Sequence, residues 1–168
     1  MTPIRLNLGS ASVKLPGYIS VDLYDDRADL QMDILDLDFE DNSVDEILAS
    51  HVFEHLSPHY AMPALKEWFR VLKSGGKLIM EMPDFEVTCK RFLEQTDYYK
   101  KLDYMNVIFA PSDIRNGKPI EGANHLWGWW PDSLYNHLNW AGFTDMQLME
   151  QQLIHPYDNF RMEAYKPL

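Results

Sequence analysis

The stretch Val44–Asp84, VDEILASHVFEHLSPHYAMPALKEWFRVLKSGGKLIMEMPD, contains two apolar runs separated by a helical pattern. The runs Val44–Ala49 and Lys77–Met82 have the length and composition of buried β-strands. Between them, apolar side chains recur at the spacing of a helix with one buried face, at Leu65, Trp68, Phe69 and Leu72. Ser57-Pro58 is suited to start this helix, and Gly75-Gly76 to end it. The order strand, helix, strand predicts two parallel strands.

Further apolar runs flank this stretch on both sides. On its N-terminal side we predict three strands, at Ile4–Leu8, Tyr18–Val21 and Leu30–Met32. On its C-terminal side we predict a helix from Asp84 to about Lys101, a helix over Asp132–Ala141 capped by Gly142, and a closing hairpin of strands 145–150 and 160–165. The alternation of strands and helices predicts an α/β fold with a parallel sheet.

Length and charge narrow the class of protein. The chain of 168 residues fits one domain, 1–168, with a single core, and its hydrophobic fraction of 46% is typical of globular proteins. A net charge of −11 disfavours nucleic acid as a partner, because that affinity rests on Lys and Arg displacing counterions. A small-molecule substrate is easier to accept. The sequence does not indicate an oligomeric state.

Targeting signals and cysteines add little. No window approaches the roughly 18 uninterrupted apolar residues of a membrane span, and Met1–Ile4 lacks the basic and apolar regions of a secretion signal. We therefore expect no membrane association and a cytoplasmic location. Cys89 is the one cysteine and cannot form an internal disulfide, so we expect it to be structural.

Several motifs in a fixed order resemble those of the class I, Rossmann-like S-adenosylmethionine-dependent methyltransferases. In that family an acidic strand runs into an H-V-hydrophobic-E-H turn, and a helix ending R-V-L-K-x-G-G leads into the next strand, as in the stretch quoted above. MDILDLDFEDNSVDEI, residues 32–47, resembles the adenine-binding region, and NHLWGWWPDSLYNHLNWAGFTDMQL, residues 124–148, resembles the closing element. The resemblance implies a three-layer fold, its sheet mostly parallel with an antiparallel C-terminal strand, S-adenosylmethionine as cofactor, and methyl transfer to an oxygen or nitrogen nucleophile of a small molecule such as a sugar derivative.

The segment LNLGSAS, residues 6–12, occupies the place of the family's glycine-rich first motif. Taken alone it is as typical of a turn between strands, because Asp22 follows Gly9 by 13 residues, against about 20 in a dinucleotide-binding fingerprint. By its position the resemblance implies cofactor contacts from Gly9, Ser10 and Ala11. Gly9 would let the backbone approach the cofactor where a side chain would collide.

Acidic residues further on complete the implied cofactor site. Asp22, with Leu23 beside it, corresponds to the acid that accepts from both ribose hydroxyls through its two carboxylate oxygens. Asp33 corresponds to the acid that accepts from the adenine amino group, and Ile34 would offer its backbone and an apolar contact to the ring. The resemblance thus implies a binding site spread over the first three strand ends.

The chain departs from the family at its first motif. Ala11 stands where a second glycine is usual, and the helix after the loop is reduced to about one turn around Val13–Leu15. This departure favours an alternative reading, a methyltransferase-like binding module without catalysis. The acids Asp22 and Asp33 and the imidazole of His51 favour an enzyme.

The residues His51–His55 also match H-x-x-E-H, the inverted zinc-peptidase pattern. On a helix, two histidines four apart can share a metal. That pattern needs a third ligand from a later helix, and here it directly follows a strand. We therefore expect no metal, a cofactor-binding and catalytic place for His51 at the strand end, and a bracing role for Glu54 and His55. The alternative is that all three are structural polar groups.

A second histidine lies in GANHLWGWWP, residues 122–131. We predict that His125 is catalytic, as a general base or substrate ligand, and that the segment Pro111–Trp130 covers the site. The three tryptophans of this segment are either a wall for a flat substrate or core anchors. His59 and His137 have the pattern of surface helix residues.

Overall fold

A computed structural model of the chain describes residues 2–110, 114–115, 118–119, 122–151 and 158–168. The strands are β1 (Arg5–Leu8), β2 (Ile19–Asp22), β3 (Leu30–Gln31), β4 (Val44–Ser50), β5 (Leu72–Pro83), β6 (Ile114–Arg115), β7 (Lys118–Pro119), β8 (Thr144–Met149) and β9 (Asn159–Tyr165). The helices are α1 (Pro58–Val71), α2 (Phe85–Glu94), α3 (Tyr98–Phe109) and α4 (Pro131–Ala141), and a 3₁₀ turn spans Phe53–His55.

Seven strands form one sheet in the order β3-β2-β1-β4-β5-β9-β8. Neighbours from β3 to β5 are parallel, whereas β9 is antiparallel to both β5 and β8. β6 and β7 form a separate two-stranded ribbon. The predicted α/β class, the mostly parallel sheet and the antiparallel C-terminal strand are confirmed.

The apolar core lies on one face of this sheet. Leu78 and Met80 of β5 meet the buried side chains of α1, including Leu65 and Trp68, and those of α4, Leu134 and Leu138. Side chains alternate between faces along a strand, so the residues between them point the other way. Among the residues described, no helix is long and apolar enough to cross a membrane.

The opposite face of β4, β5 and β9 carries a ladder of charged side chains. Lys77 lies 3.4 Å from Glu46 and 3.5 Å from Glu163, while Arg161 lies 2.9 Å from Glu163 and 3.6 Å from Glu81. Arg161 and Glu81 are buried. Burying charges is costly unless they are paired, so these strands must align the ladder as they assemble.

The helix predicted to end at Gly75-Gly76 is shorter. α1 ends at Val71 because Leu72 is already extended, and β5 begins there. Gly75 has φ +75° and lies within the strand, where Leu72 pairs with Val44 before the register shifts. Both Val71 and Leu72 are fully buried. The helix therefore ends where Val71 and Leu72 are buried in the core, four residues before the two glycines that were expected to end it.

The single helix predicted from Asp84 to Lys101 is two helices. α2 ends at Glu94, and α3 starts after Asp97, whose side chain accepts from the Lys100 backbone N–H. An aspartate that caps a helix N-terminus competes with helix continuation. The predicted turn of helix at Val13–Leu15 is absent as well: residues 9–18 connect β1 and β2 through turns.

A hydrogen bond joins the core to the third strand end. The buried Trp68 of α1 donates through Nε1 to the carbonyl of Ile34 at 2.9 Å. Trp68→Phe keeps an aromatic ring but leaves that acceptor unpaired, so we expect a loss of about 1–3 kcal/mol in the free energy of unfolding. Urea denaturation measures it, with the exposed Trp140→Phe as control. Equal stabilities of the two variants would contradict this prediction.

Candidate cofactor and catalytic site

Three of the predicted residues lie at the same edge of the sheet. β2, β1 and β4 are parallel neighbours, and their carboxyl ends carry Asp22, Gly9 and His51 respectively. Ligands of open α/β sheets bind outside the carboxyl ends of the strands. The topology therefore gathers residues that are far apart in the sequence.

Position 9 requires glycine for two reasons, its backbone conformation and the close approach of Val52. Its φ is +59°, and a Cβ at this position would lie 2.1 Å from Cγ2 of Val52. The loop after β1 therefore packs directly against the turn after β4. The sequence predicts that Gly9 contacts the cofactor, but it does not indicate the contact with Val52, a residue 43 positions away.

The next two residues tie the loop to β2. The backbone N–H of Ser10 donates to the Val21 carbonyl at 3.1 Å, and Ser10 is buried. Ala11 has φ +44°, in the left-handed region that glycine adopts without strain. The backbone at position 11 thus has the conformation that a second glycine would take.

Asp22 is largely occupied by the backbone. Its Oδ1 accepts from the N–H groups of Tyr24 and Asp25 at 2.8 and 2.9 Å, and its Oδ2 accepts from Ala11 at 2.8 Å. A carboxylate has about four acceptor positions. One position, on Oδ2, is left for a ligand, where the sequence reasoning expected bonds to both ribose hydroxyls. Leu23, exposed beside it, offers a carbonyl that already accepts from Gln31.

Asp33 and Ile34 follow the third strand. Asp33 accepts the Leu35 N–H on Oδ1 at 2.9 Å, and within the described ranges no hydrogen bond reaches its Oδ2. Ile34 is buried, and its carbonyl is held by Trp68. The carboxylate of Asp33 therefore has an oxygen available for a donor such as an amino group.

His51 has an unusual backbone for its residue type. Its φ is +52°, a strained region for a residue with a side chain, and its N–H donates to the Glu81 carbonyl at 2.8 Å. Its Nδ1 lies 3.2 Å from Oε1 of Glu54, and its Nε2 lies 3.4 Å from the Asn159 amide nitrogen. With Nδ1 protonated toward the carboxylate, Nε2 is the basic nitrogen.

Glu54 is buried at 2% exposure. Burial acts to raise the pKa of its carboxyl, but contact with His51 and the charges of His55 and His51 outweigh that effect and hold the pKa below its usual range. Among the described residues, neither oxygen receives a well-directed hydrogen bond. Its backbone carbonyl accepts from Leu126 and Trp127 at 2.8 and 3.2 Å.

His125, which lies much further along the chain, is directed at the same carboxylate. Its Nδ1 lies 2.7 Å from the Val107 carbonyl, and its Nε2 lies 3.8 Å from Oε1 of Glu54. Burial lowers the pKa of His125, although the charge of Glu54 opposes this. With Nδ1 donating to the carbonyl, Nε2 faces the carboxylate. The two predicted catalytic histidines thus converge on one buried acid.

The covering segment predicted at Pro111–Trp130 falls partly outside the described residues. Of residues 111–121, only the backbone of β6 and β7 is described. Residues 124–130, which we call the strap, are anchored on several sides: His125 donates its N–H to Phe109, Trp129 accepts from Phe85, and two N–H groups donate to Glu54. The strap is a fixed part of the site.

His55 completes the cluster around Glu54. Its ring lies 4.7 Å from that of His125, and its Nδ1 lies 3.1 Å from the Asn124 carbonyl. Glu54, His55 and His125 each offer a ligand atom within 4.8 Å of the others. The H-x-x-E-H stretch includes a 3₁₀ turn, Phe53–His55, and no α-helix, in agreement with the predicted turn. The group of possible ligand atoms differs from that pattern, since it includes His125 of the strap and leaves out His51.

The three tryptophans have different environments. Trp129 is a core residue that stacks 4.8 Å from Phe53, whereas Trp127 is exposed and Trp130 is intermediate. His59 is exposed as predicted, but His137 is partly buried and packs on Trp129 at 4.9 Å. Cys89 is partly buried, which raises the pKa of its thiol and suits a structural role.

A small pocket opens beside the cluster. Its walls are mainly apolar and include Phe85, Trp127 and Trp129, and Glu54 and His125 lie at its polar end. The cavity volume is about 10 Å³, close to what one water molecule requires. A larger ligand would have to lie at its mouth.

This sheet order defines a fold class, the Rossmann-like α/β proteins with an antiparallel C-terminal strand. Residues 17–80 match the family described as Methyltransferase domain. A protein of Encephalitozoon cuniculi, named as a candidate methyltransferase, is 32% identical over 95 residues, 56% of this chain and 45% of that protein. The chain therefore spans under half the length of this curated relative.

Solved structures share the fold over nearly the whole chain. A S-adenosylmethionine-dependent methyltransferase from Methanosarcina mazei has a TM-score of 0.66 at 18% identity, with 100% of this chain and 94% of that chain covered. A second structure is the complex between the Haloferax volcanii Trm112 methyltransferase activator and a candidate methyltransferase. Its TM-score is 0.61 at 15% identity, and the match covers 99% of this chain and 84% of that chain. The family match is confined to residues 17–80, and the solved structures show that the chain shares the fold of these methyltransferases.

Two neighbouring positions in the first loop give opposite predictions. Ala11→Gly removes left-handed strain of about 1–2 kcal/mol and adds about 0.4–1 kcal/mol of unfolded-state entropy, so we expect a small net stabilisation. Gly9→Ala creates strain and a collision with Val52, which we expect to cost about 1–3 kcal/mol. Thermal denaturation of both variants measures this. A destabilised Ala11→Gly protein would refute the strain argument.

Proposed function

We propose that the chain is a S-adenosylmethionine-dependent methyltransferase. The observation that carries the proposal is the arrangement of Gly9, Asp22 and His51 at adjacent strand ends, in the fold that the relatives share. The family match covers residues 17–80 and so leaves out both the Gly9 loop and the strap.

The residues at the strand ends fit the nucleoside part of the cofactor. Asp22 retains an acceptor position on Oδ2 for a ribose hydroxyl, and Asp33 retains Oδ2 for the adenine amino group. At Gly9 the space that a side chain would need is filled by Val52, which holds the first loop against the turn after β4 at this strand end. Bound there, the cofactor would supply an activated methyl group on a sulfonium. The chain would supply position, which is worth roughly 7–11 kcal/mol in well-oriented reactions.

His51 is the residue best placed to take a proton from an oxygen or nitrogen nucleophile. It lies at the strand end next to Gly9 through Val52, and Glu54 orients its ring from the Nδ1 side. The long contact of Nε2 to Asn159, 3.4 Å, is weak enough for a substrate to replace. We assign His125 a positioning role, since its Nδ1 donates to the Val107 carbonyl and its Nε2 is directed at Glu54, 3.8 Å away.

We propose a small molecule as the substrate, such as a sugar derivative, bound at the mouth of the pocket beside Trp127. The net charge of −11 supports this over nucleic acid. The neighbour from Haloferax volcanii is in a complex with an activator protein. The small-molecule proposal concerns the substrate of this chain and makes no statement about a protein partner. The single domain, the absence of nucleic-acid or membrane partners and the cytoplasmic location stay predictions.

One observation favours the alternative, a binding module without catalysis. No helix follows the Gly9 loop, since residues 9–18 form turns. A site less enclosed at this point excludes water less well. Binding of S-adenosylmethionine without methyl transfer to any acceptor would favour the module.

Binding is tested by calorimetry with S-adenosylmethionine. Asp22→Ala removes one charge-assisted hydrogen bond, worth about 1.5–3 kcal/mol, and we expect affinity to fall by about tenfold or more. The exposed Asp26→Ala, which removes the same charge nearby, should bind as the unmodified chain does. Absence of heat and of a thermal shift with the unmodified chain at saturating cofactor would rule out the proposed function.

Catalysis is tested at His51. Loss of a positioned base costs about 100-fold to 10,000-fold in rate, so we expect His51→Gln to lower kcat in that range. The exposed His59→Gln is the control. Methyl transfer is followed as S-adenosylhomocysteine formed with a panel of small acceptors. An unchanged kcat in the His51→Gln variant would remove His51 from the catalytic role.

A further inference from the structure

We propose that Glu54, His55 and His125 form a site for a divalent transition-metal ion, with zinc as the best-matched metal. Ligand atoms of the three lie within 4.8 Å of one another. Two imidazoles and one carboxylate are a donor set that zinc uses in sites with an open coordination position. The site itself does not rest on the methyltransferase proposal.

The hydrogen bonds of both histidines match those of metal ligands. Nδ1 of His55 lies 3.1 Å from the Asn124 carbonyl, and Nδ1 of His125 lies 2.7 Å from the Val107 carbonyl. Each ring donates through Nδ1, which leaves the lone pair on Nε2 available. Metal-binding histidines commonly donate their other ring nitrogen to a backbone carbonyl in this way, which sets both tautomer and orientation.

The carboxylate supplies the second, independent observation. Glu54 is 2% exposed, and neither of its oxygens receives a well-directed hydrogen bond from the described residues. One polar group, Nδ1 of His51, lies 3.2 Å from Oε1, and a buried charge with so few polar partners is costly. A cation between Glu54 and the two imidazoles would satisfy it, with Nδ1 of His51, 3.2 Å from Oε1, as an outer hydrogen-bond donor to the ligand.

The surroundings leave room for one further ligand. The pocket beside Glu54 and His125 has a volume of about 10 Å³, near the lower limit for a cavity that holds one water molecule. Three protein ligands and one water or substrate heteroatom complete a tetrahedral zinc site. The ion would lie at the inner end of the apolar pocket, between the strap and the turn after β4.

The experiment measures zinc binding by the purified chain without S-adenosylmethionine. The chain is stripped with a chelator, titrated with Zn²⁺ against a chromophoric competitor, and analysed for metal content. We expect one zinc per chain. We expect His55→Ala and His125→Ala to lower affinity by more than about 100-fold, and His51→Ala, as an outer contact, by about 10-fold to 100-fold. His59→Ala, an exposed histidine on α1, should leave affinity unchanged.

Cobalt provides a readout of geometry. Co²⁺ in place of zinc should give intense visible d–d bands of a tetrahedral site, which His55→Ala abolishes. Cooperative unfolding of each variant without metal shows that it folds. If His125→Ala does not fold, His55→Ala decides, because that ring is partly exposed and its contacts lie at the surface of the cluster.

Two results would overturn the site. One is the absence of stoichiometric zinc in the titration of the unmodified chain. The other is zinc that is lost on His51→Ala but retained on His125→Ala, which would assign the ion to the H-x-x-E-H pair instead. Neither result depends on cofactor binding, so failure of the metal site and failure of the methyltransferase proposal are distinguishable.

Discussion

The buried carboxylate of Glu54 constrains the positions of the three segments that contact it. A charge with 2% exposure costs several kcal/mol unless polar groups surround it, and here those groups come from the strand end at His51, the 3₁₀ turn at His55 and the strap at His125. The backbone carbonyl of Glu54 also holds the strap. Three segments therefore have to be correctly placed at once for this residue to be buried.

Most of the fold follows from local pattern. Short apolar runs punctuated by turns locate the strands because each strand buries at least one face, as in Leu6 and Leu8 of β1. The misplaced boundaries have identifiable physical causes. Gly75 and Gly76 are typical helix terminators, yet burial of Leu72 ended the helix earlier. The break before α3 depends on Asp97 acting as a cap, which the apolar spacing hides.

The site was predictable in position but not in partners. Gly9, Asp22, Asp33 and His51 could be placed at strand ends by their order in the chain. Contacts such as Gly9 with Val52, or His125 with Glu54, join residues 43 and 71 positions apart, and no periodicity reports them. The acceptor capacity of Asp22 likewise depends on where three backbone N–H groups point.

The charged ladder acts as a lock on strand alignment. β9 places Arg161 opposite Glu81, while its alternate residues Phe160 and Met162 face the core. Sliding β9 by one residue would exchange the two sets, putting a guanidinium into the apolar layer and methionine among carboxylates. Burial of a guanidinium in the apolar layer is unfavourable by itself. The slip would also break the ion pairs of Arg161 with Glu81 and Glu163. A slip of one residue is therefore unfavourable for the C-terminal strand, and the observed alignment also places Asn159 within reach of His51.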